Sequence, residues 1–278
     1  MKAVIPARRS VVPAAVDVLH EATGVAQRLL APLLSLADNS DWLVAGSVGE
    51  FAAGGKLFQI PRFIFMGPRG GGDTVRLGLF ATIHGDEPQG AEAMIAFLQE
   101  LESCPQLALG YHIYAYPICN PTGLEAATHL NAKGKDLACH FWQGSDQPEA
   151  YYLEREIGVH RFAAVISLHS RNNETTGHFR GLTGNVVVDT ALVQPALEAA
   201  NNIIQPGRQI EAGLDREACK SRHVGFLTAT QDLSFVPIEI NFEIPSMAPR
   251  DAQIRGTVGA LKVILDSYRT LLATQANI

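Results

Sequence analysis

Runs of apolar residues separated by turn-rich polar stretches divide this chain into segments of helix and strand length. Residues 14 to 37 carry Val16, Leu19, Val25, Leu29, Leu30, Leu33 and Leu34 at roughly helical spacing, interrupted by Gly24 and Pro32. One or two short helices are expected there. Between Trp42 and Met66 a turn-rich GSVGEFAAGG gives way to the β-prone LFQIPRFIFM, and the breaker run GPRGGGD follows; this is the pattern of hairpin-like strands. VRLGLFATI, residues 75 to 83, is almost continuously apolar, as a strand buried on both faces must be. PQGAEAMIAFLQELES then offers Pro88 for a first helical turn and repeats Ala91, Met94, Ile95 and Leu98 at intervals of three and four. YHIYAYPIC from Tyr111 and RFAAVISLH from Arg161 are further strand candidates, as are NVVVD and SFVPIEINFEI, and a closing amphipathic helix is expected from Asp251 to Thr274. Strands alternating with helices imply an α/β fold whose mixed, largely parallel sheet is covered on both faces. The simplest division is an amino-terminal helical extension over 1–44 and a single domain over 45–278.

Composition narrows the function classes. With 278 residues, 47% of them hydrophobic, the chain can bury a large core without staples. A formal charge of −6 provides no general attraction to phosphate backbones or anionic lipid, so neither nucleic acid nor membrane is an expected partner. No run is long enough to span a bilayer. The four cysteines, Cys104, Cys119, Cys139 and Cys219, form no CxxC pair and are expected as free thiols in a reducing compartment. MKAVIPARRSVVPAAVDVLH lacks a sustained apolar stretch with a small-residue cleavage site, which makes the cytoplasm the expected location.

Candidate chemistry collects where the apolar strands end. In ATIHGDEPQG, His84 closes a buried strand and Glu87 stands where the next helix begins. Ligands of open α/β sheets bind at the carboxyl ends of the strands, so both side chains are placed to meet there. Zinc accepts imidazole nitrogen and carboxylate oxygen, and a catalytic zinc keeps three protein ligands and one open position. An isolated HxxE recurs by accident; the third site is AAVISLHS, where His169 ends another apolar strand. Two histidines and a glutamate would hold one Zn²⁺. A hydrolytic site also needs a group to move protons, and INFEIP supplies Glu243, with Glu239 as a competitor on the same strand face. Apolar residues alternate with these carboxylates, which places the acidic face in a cleft.

These residues resemble the zinc metallocarboxypeptidase superfamily, and within it the branch containing succinylglutamate desuccinylase and aspartoacylase. HGDE resembles the family's HxxE motif, SLHS its third-ligand strand and FEIP the segment of its catalytic glutamate, in the family's chain order, and the resemblance spans about residues 45 to 250. It implies a three-layer α/β/α sandwich, a zinc site of His84, Glu87 and His169, and Glu243 rather than Glu239 as the catalytic carboxylate. The family commonly follows its Asn-Pro with an Arg and then Asn, Gly and DLNR. Here Asn120, Pro121, Asn131, Gly134, Asp136 and Leu137 are kept, but His129 takes the first Arg position and Ala138 and Cys139 replace the Asn-Arg pair. Neither His nor Cys supplies a permanent bidentate guanidinium, so the resemblance carries the metal chemistry further than the substrate specificity. Arg171, Arg180 and His129 are the candidate substrate-binding residues. The reading is a zinc-dependent hydrolase that cleaves an amide in a short peptide or other small molecule by metal-activated water. Its alternatives are an N-acyl amino acid deacylase and a catalytically silent metal-binding protein.

Overall fold

The computed structural model describes residues 24–170, 177–183, 185–206 and 237–275. Helix α1 (Val25–Ala37) leads into a hairpin of β1 (Leu43–Ala53) and β2 (Lys56–Met66), followed by β3 (Val75–Ala81), α2 (Gln89–Ser103) and β4 (Tyr111–Tyr116). Then come α3 (Pro121–Ala126), α4 (Pro148–His160), β5 (Ala164–His169), β6 (Arg180–Leu182), α5 (Gln194–Ile204), β7 (Ile238–Glu243) and α6 (Arg250–Gln275).

The strands form a mixed sheet of order β1-β2-β4-β3-β5-β7-β6. Its core is parallel, β4 and β5 flanking β3 and β7 lying beyond β5. The β1–β2 hairpin and the short β6 close the two edges antiparallel. Alternation along the strands sorts side chains between the two faces. Leu77, Leu79 and Ala81 of β3, Ala164, Ile166 and Leu168 of β5, and Ile240 and Phe242 of β7 share a buried core with α1, α2, α5 and α6. On the other face Phe80, Tyr114, Tyr116 and Val165 pack with Ala150, Leu153 and Ile157 of α4. The result is the three-layer sandwich with a largely parallel sheet.

Most predicted elements appear within a few residues of their expected ends. NVVVD does not: Val186–Val188 is helical rather than extended. The Asn185 side chain accepts hydrogen bonds from the Val187 and Val188 amides, and this cap outweighs the β preference of three valines, two of which are exposed and gain nothing from sheet burial. A π-helical turn, Asp189–Val193, carries the chain on into α5. The edge strand β6 has no apolar run to announce it. Cys104, Cys119 and Cys139 are free thiols, and Cys219 lies outside the described residues. No helix among the described residues is long and apolar enough to cross a membrane.

Candidate metal centre

The sheet reverses its winding direction at β3, since the next strand, β4, lies on one side and β5 on the other. Such a switch point leaves a crevice beyond the carboxyl ends of its strands. His84 and Glu87 follow β3, and His169 is the last residue of β5. A tight connection aims the first two. Thr82 takes a left-handed backbone at φ 54°, rare for a β-branched residue, and its carbonyl accepts from the Asn120 amide at 2.9 Å. The Glu87 amide donates back to the His84 carbonyl at 3.1 Å and closes the turn.

One donor atom from each of His84, Glu87 and His169 lies within 4.8 Å of the others. His84 Nδ1 stands 3.2 Å from Glu87 Oε1, and His169 Nδ1 stands 3.5 Å from Glu87 Oε2. Ligands bound tetrahedrally to zinc at about 2.0–2.1 Å are separated by about 3.3–3.4 Å, so the spacing and the chemistry of the donors both suit that ion. Glu87 is kept in place by the Ser170 amide, which donates to Oε2 at 2.9 Å. On the far side of the His84 ring, Nε2 donates to Asp136 Oδ1 at 3.3 Å, the carboxylate–histidine pairing that fixes which nitrogen faces a metal.

The electrostatics follow from this crowding. Burial pushes the His84 imidazolium down, but the hydrogen bonds to Asp136 and Glu87 outweigh it and raise its pKa to about 9. Burial likewise pushes the Glu87 carboxyl up, yet His169 and His84 hold it far below the ordinary carboxylate range. The His84 hydrogen bond is the main reason Asp136 is held down at about 2. A cation bound between His84 and Glu87 would displace the His84 Nδ1 proton.

The other sequence candidates fall at different distances from this centre. Glu243 is in register with His169 on the adjoining parallel strand, and residues paired in this way lie on one face about 4.8 Å apart. Glu239 pairs with Val165 at the opposite end of the strands, four residues or about 13 Å away. Arg180 is the cross-strand partner of Glu243 on β6. His129 lies against the centre, its ring stacked on that of His84 with centroids 3.7 Å apart. Arg171 lies outside the described residues.

Asp86 and Asp136 received no role from the sequence. His129 approaches both, with Nδ1 3.5 Å from Asp86 Oδ1 and Nε2 3.7 Å from Asp136 Oδ2. The available signals were the position of Asp86 inside HGDE and the retention of Asp136 where its neighbours had changed. The loop that delivers His129 and Asp136 is pinned from below. Asn131 Nδ2 donates to Gln147 Oε1 at 2.8 Å, and its Oδ1 accepts from the Lys133 and Lys135 amides at 3.0 Å each.

No family model matches the chain, and no curated protein sequence does. Solved structures do. A metallo-carboxypeptidase from Burkholderia cenocepacia superposes with a TM-score of 0.68 at 14% identity, covering 88% of this chain and 69% of that one. A metallo-carboxypeptidase from Pseudomonas aeruginosa, in complex with (2-guanidinoethylmercapto)succinic acid, gives 0.64 at 16% identity over 88% and 70%. A succinylglutamate desuccinylase/aspartoacylase from Rhodobacter sphaeroides gives 0.52 at 15% identity over 81% and 65%. At these identities the likeness is one of fold: the chain has the carboxypeptidase-like α/β architecture, with a His–Glu–His cluster suited to a metal.

Proposed function

We propose that this chain is a zinc-dependent hydrolase that cleaves a linear amide bond in a short peptide or other small molecule. The observation that carries the reading is the meeting of His84, Glu87 and His169 at the strand ends with Glu243 in register beside His169. His84, Glu87 and His169 would hold a zinc ion, which would supply a Lewis acid for the scissile carbonyl and a bound water acidic enough to attack at neutral pH. Glu243 takes the proton from the attacking water and returns it to the departing nitrogen. Glu239 is too far along β7 to share that work.

For substrate recognition, Arg180, His129 and Arg171 are the proposed contacts. Arg180 faces Glu243 across the β6–β7 ladder and offers a guanidinium to a carboxylate on the substrate. The succinic acid derivative carried by the Pseudomonas structure supports a substrate bearing such a group. Both carboxyl-terminal peptides and N-acyl amino acids meet that description, and the likeness to a desuccinylase/aspartoacylase keeps the second class in the panel.

The test is elemental analysis of the purified protein together with turnover of N-acyl amino acids and short peptides. His84→Ala, Glu87→Ala and His169→Ala should each lose most of the zinc. Near-stoichiometric zinc in all three would end the assignment. Glu243→Gln should keep its metal and lose about 10²–10⁴-fold in single-turnover rate, whereas Glu239→Gln should change little. A loss confined to Glu239→Gln would reverse the two roles. Zinc-loaded protein inert on the whole panel would instead support a silent binding protein.

A further inference from the structure

Beside the His84–Glu87–His169 centre lies a second set of donors, two of which the hydrolytic scheme does not use as ligands. Asp86, Glu87 and His129 each place one donor atom within 4.8 Å of the others. We propose that this set binds a second divalent cation, zinc or manganese in chemistry, with Glu87 shared between the two ions. The inference rests on the first site holding a metal, because Glu87 belongs to both.

Orientation is the first argument. Asp136 meets two imidazoles with its two oxygens, Oδ1 at 3.3 Å from His84 Nε2 and Oδ2 at 3.7 Å from His129 Nε2. One carboxylate behind two histidines turns both Nδ1 atoms forward, the arrangement that readies an imidazole for a metal. The rings are stacked with an interplanar angle of 17° and centroids 3.7 Å apart. Paired ions in two-metal hydrolases stand about 3.5–4 Å apart, so two parallel imidazoles at this spacing can each serve one ion. His129 Nδ1 already points at a carboxylate, Asp86 Oδ1 at 3.5 Å.

Charge is the second. Asp86, Glu87 and Asp136 bring three carboxylates into a few ångströms, and the ion pairs they make among the described residues are with histidines. A single dication leaves one of those charges unbalanced; two dications leave room for an anionic substrate. A third donor group, His84, His129 and Asp136, is also close enough to hold an ion. It is the poorer choice, because His84 would have to give a lone pair from each nitrogen to a different metal and lose both N–H protons. Imidazole and carboxylate donors suit zinc or manganese. His129 and Asp86 are each about half exposed, which leaves positions for water or substrate on the second ion. On this assignment His129 contacts substrate through the cation it holds.

Metal stoichiometry tests the proposal without reference to turnover. Equilibrium dialysis of the full chain against rising Zn²⁺, followed by elemental analysis, should reach two ions per chain in the wild type and one in His129→Ala and in Asp86→Asn. Replacing Zn²⁺ with Co²⁺ should give a spin-coupled electron paramagnetic resonance signal at two equivalents in the wild type, and the uncoupled signal of one isolated ion in His129→Ala and in Asp86→Asn. A wild type that saturates at one ion, lost in His169→Ala, overturns the second site and leaves the first intact. Two ions retained in both His129→Ala and Asp86→Asn also overturn it, as does a doubly loaded wild type whose cobalt ions are magnetically isolated. Zinc binding unaffected by His169→Ala would instead bring down the first site, and the second with it.

Discussion

Glu156 shows how a single buried carboxylate can tie two layers together. Its side chain is 12% exposed and accepts from Arg62 Nη1 at 2.9 Å, the Tyr116 hydroxyl at 2.7 Å and His160 Nε2 at 3.3 Å. Burial pushes the carboxyl up, but the three donors outweigh it and hold the pKa at about 2 against an ordinary 4.5. A folded-state pKa below the unfolded one contributes stability that is complete above the unfolded value and is lost as the pH falls through the folded one. That window runs from about 4.5 down to about 2, and a shift of this size corresponds to about 3 kcal/mol. Glu156→Gln should flatten the acid limb of the stability curve and, by leaving Arg62 half-buried without its counter-charge, cost about 3 kcal/mol at neutral pH. Denaturant midpoints measured from pH 7 to pH 2 would show it, and parallel curves for the two proteins would refute it. Helical spacing marks only Glu156 and His160 as neighbours; Arg62 and Tyr116 come from strands that only the folded sheet brings to them.

At the scale of elements, the candidate metal centre depends on how closely backbones approach. A methyl group on Gly85 would fall 1.9 Å from the backbone carbon of Gly123, where the His84–Glu87 turn rests on α3. Gly90 does the same for α2, whose first turn lies so near β5 that a Cβ would sit 2.9 Å from the Leu168 carbonyl oxygen. That contact is what brings Glu87 within reach of His169. Gly85→Ala should therefore cost about 1–3 kcal/mol through overpacking and weaken zinc binding, since the turn cannot move without carrying both ligands. Wild-type melting temperature and wild-type zinc affinity in this variant would contradict the argument. The glycines are visible in HGDEPQG. Their partners are not, because Gly123 and Leu168 are distant in the chain.

Over the whole molecule, a metal that binds the folded chain and not the unfolded one should raise its stability. Free zinc at 100 times the dissociation constant adds about 2.7 kcal/mol. The melting temperature should rise with zinc, fall with a chelator, keep its response in Glu243→Gln and lose it in His169→Ala. An unchanged response in His169→Ala would separate the stabilising ion from this centre. The alternation of strands with helices, the buried character of β3 and β5 and the His-x-x-Glu turn were all legible along the chain, since each arises from hydrophobic periodicity and short-range turn chemistry. So was the meeting of His84, Glu87 and His169, because apolar parallel strands deliver their carboxyl ends to a common edge. The choice between Glu243 and Glu239 was not, in physical terms: residues two and four apart on a strand share a face, and only the register of β7 against β5 sets which one reaches His169. Nor could local pattern place Arg180 opposite Glu243 or one carboxylate, Asp136, behind both His84 and His129. Those are contacts between segments far apart in the chain, and packing of the sheet edge and the loop above it decides them.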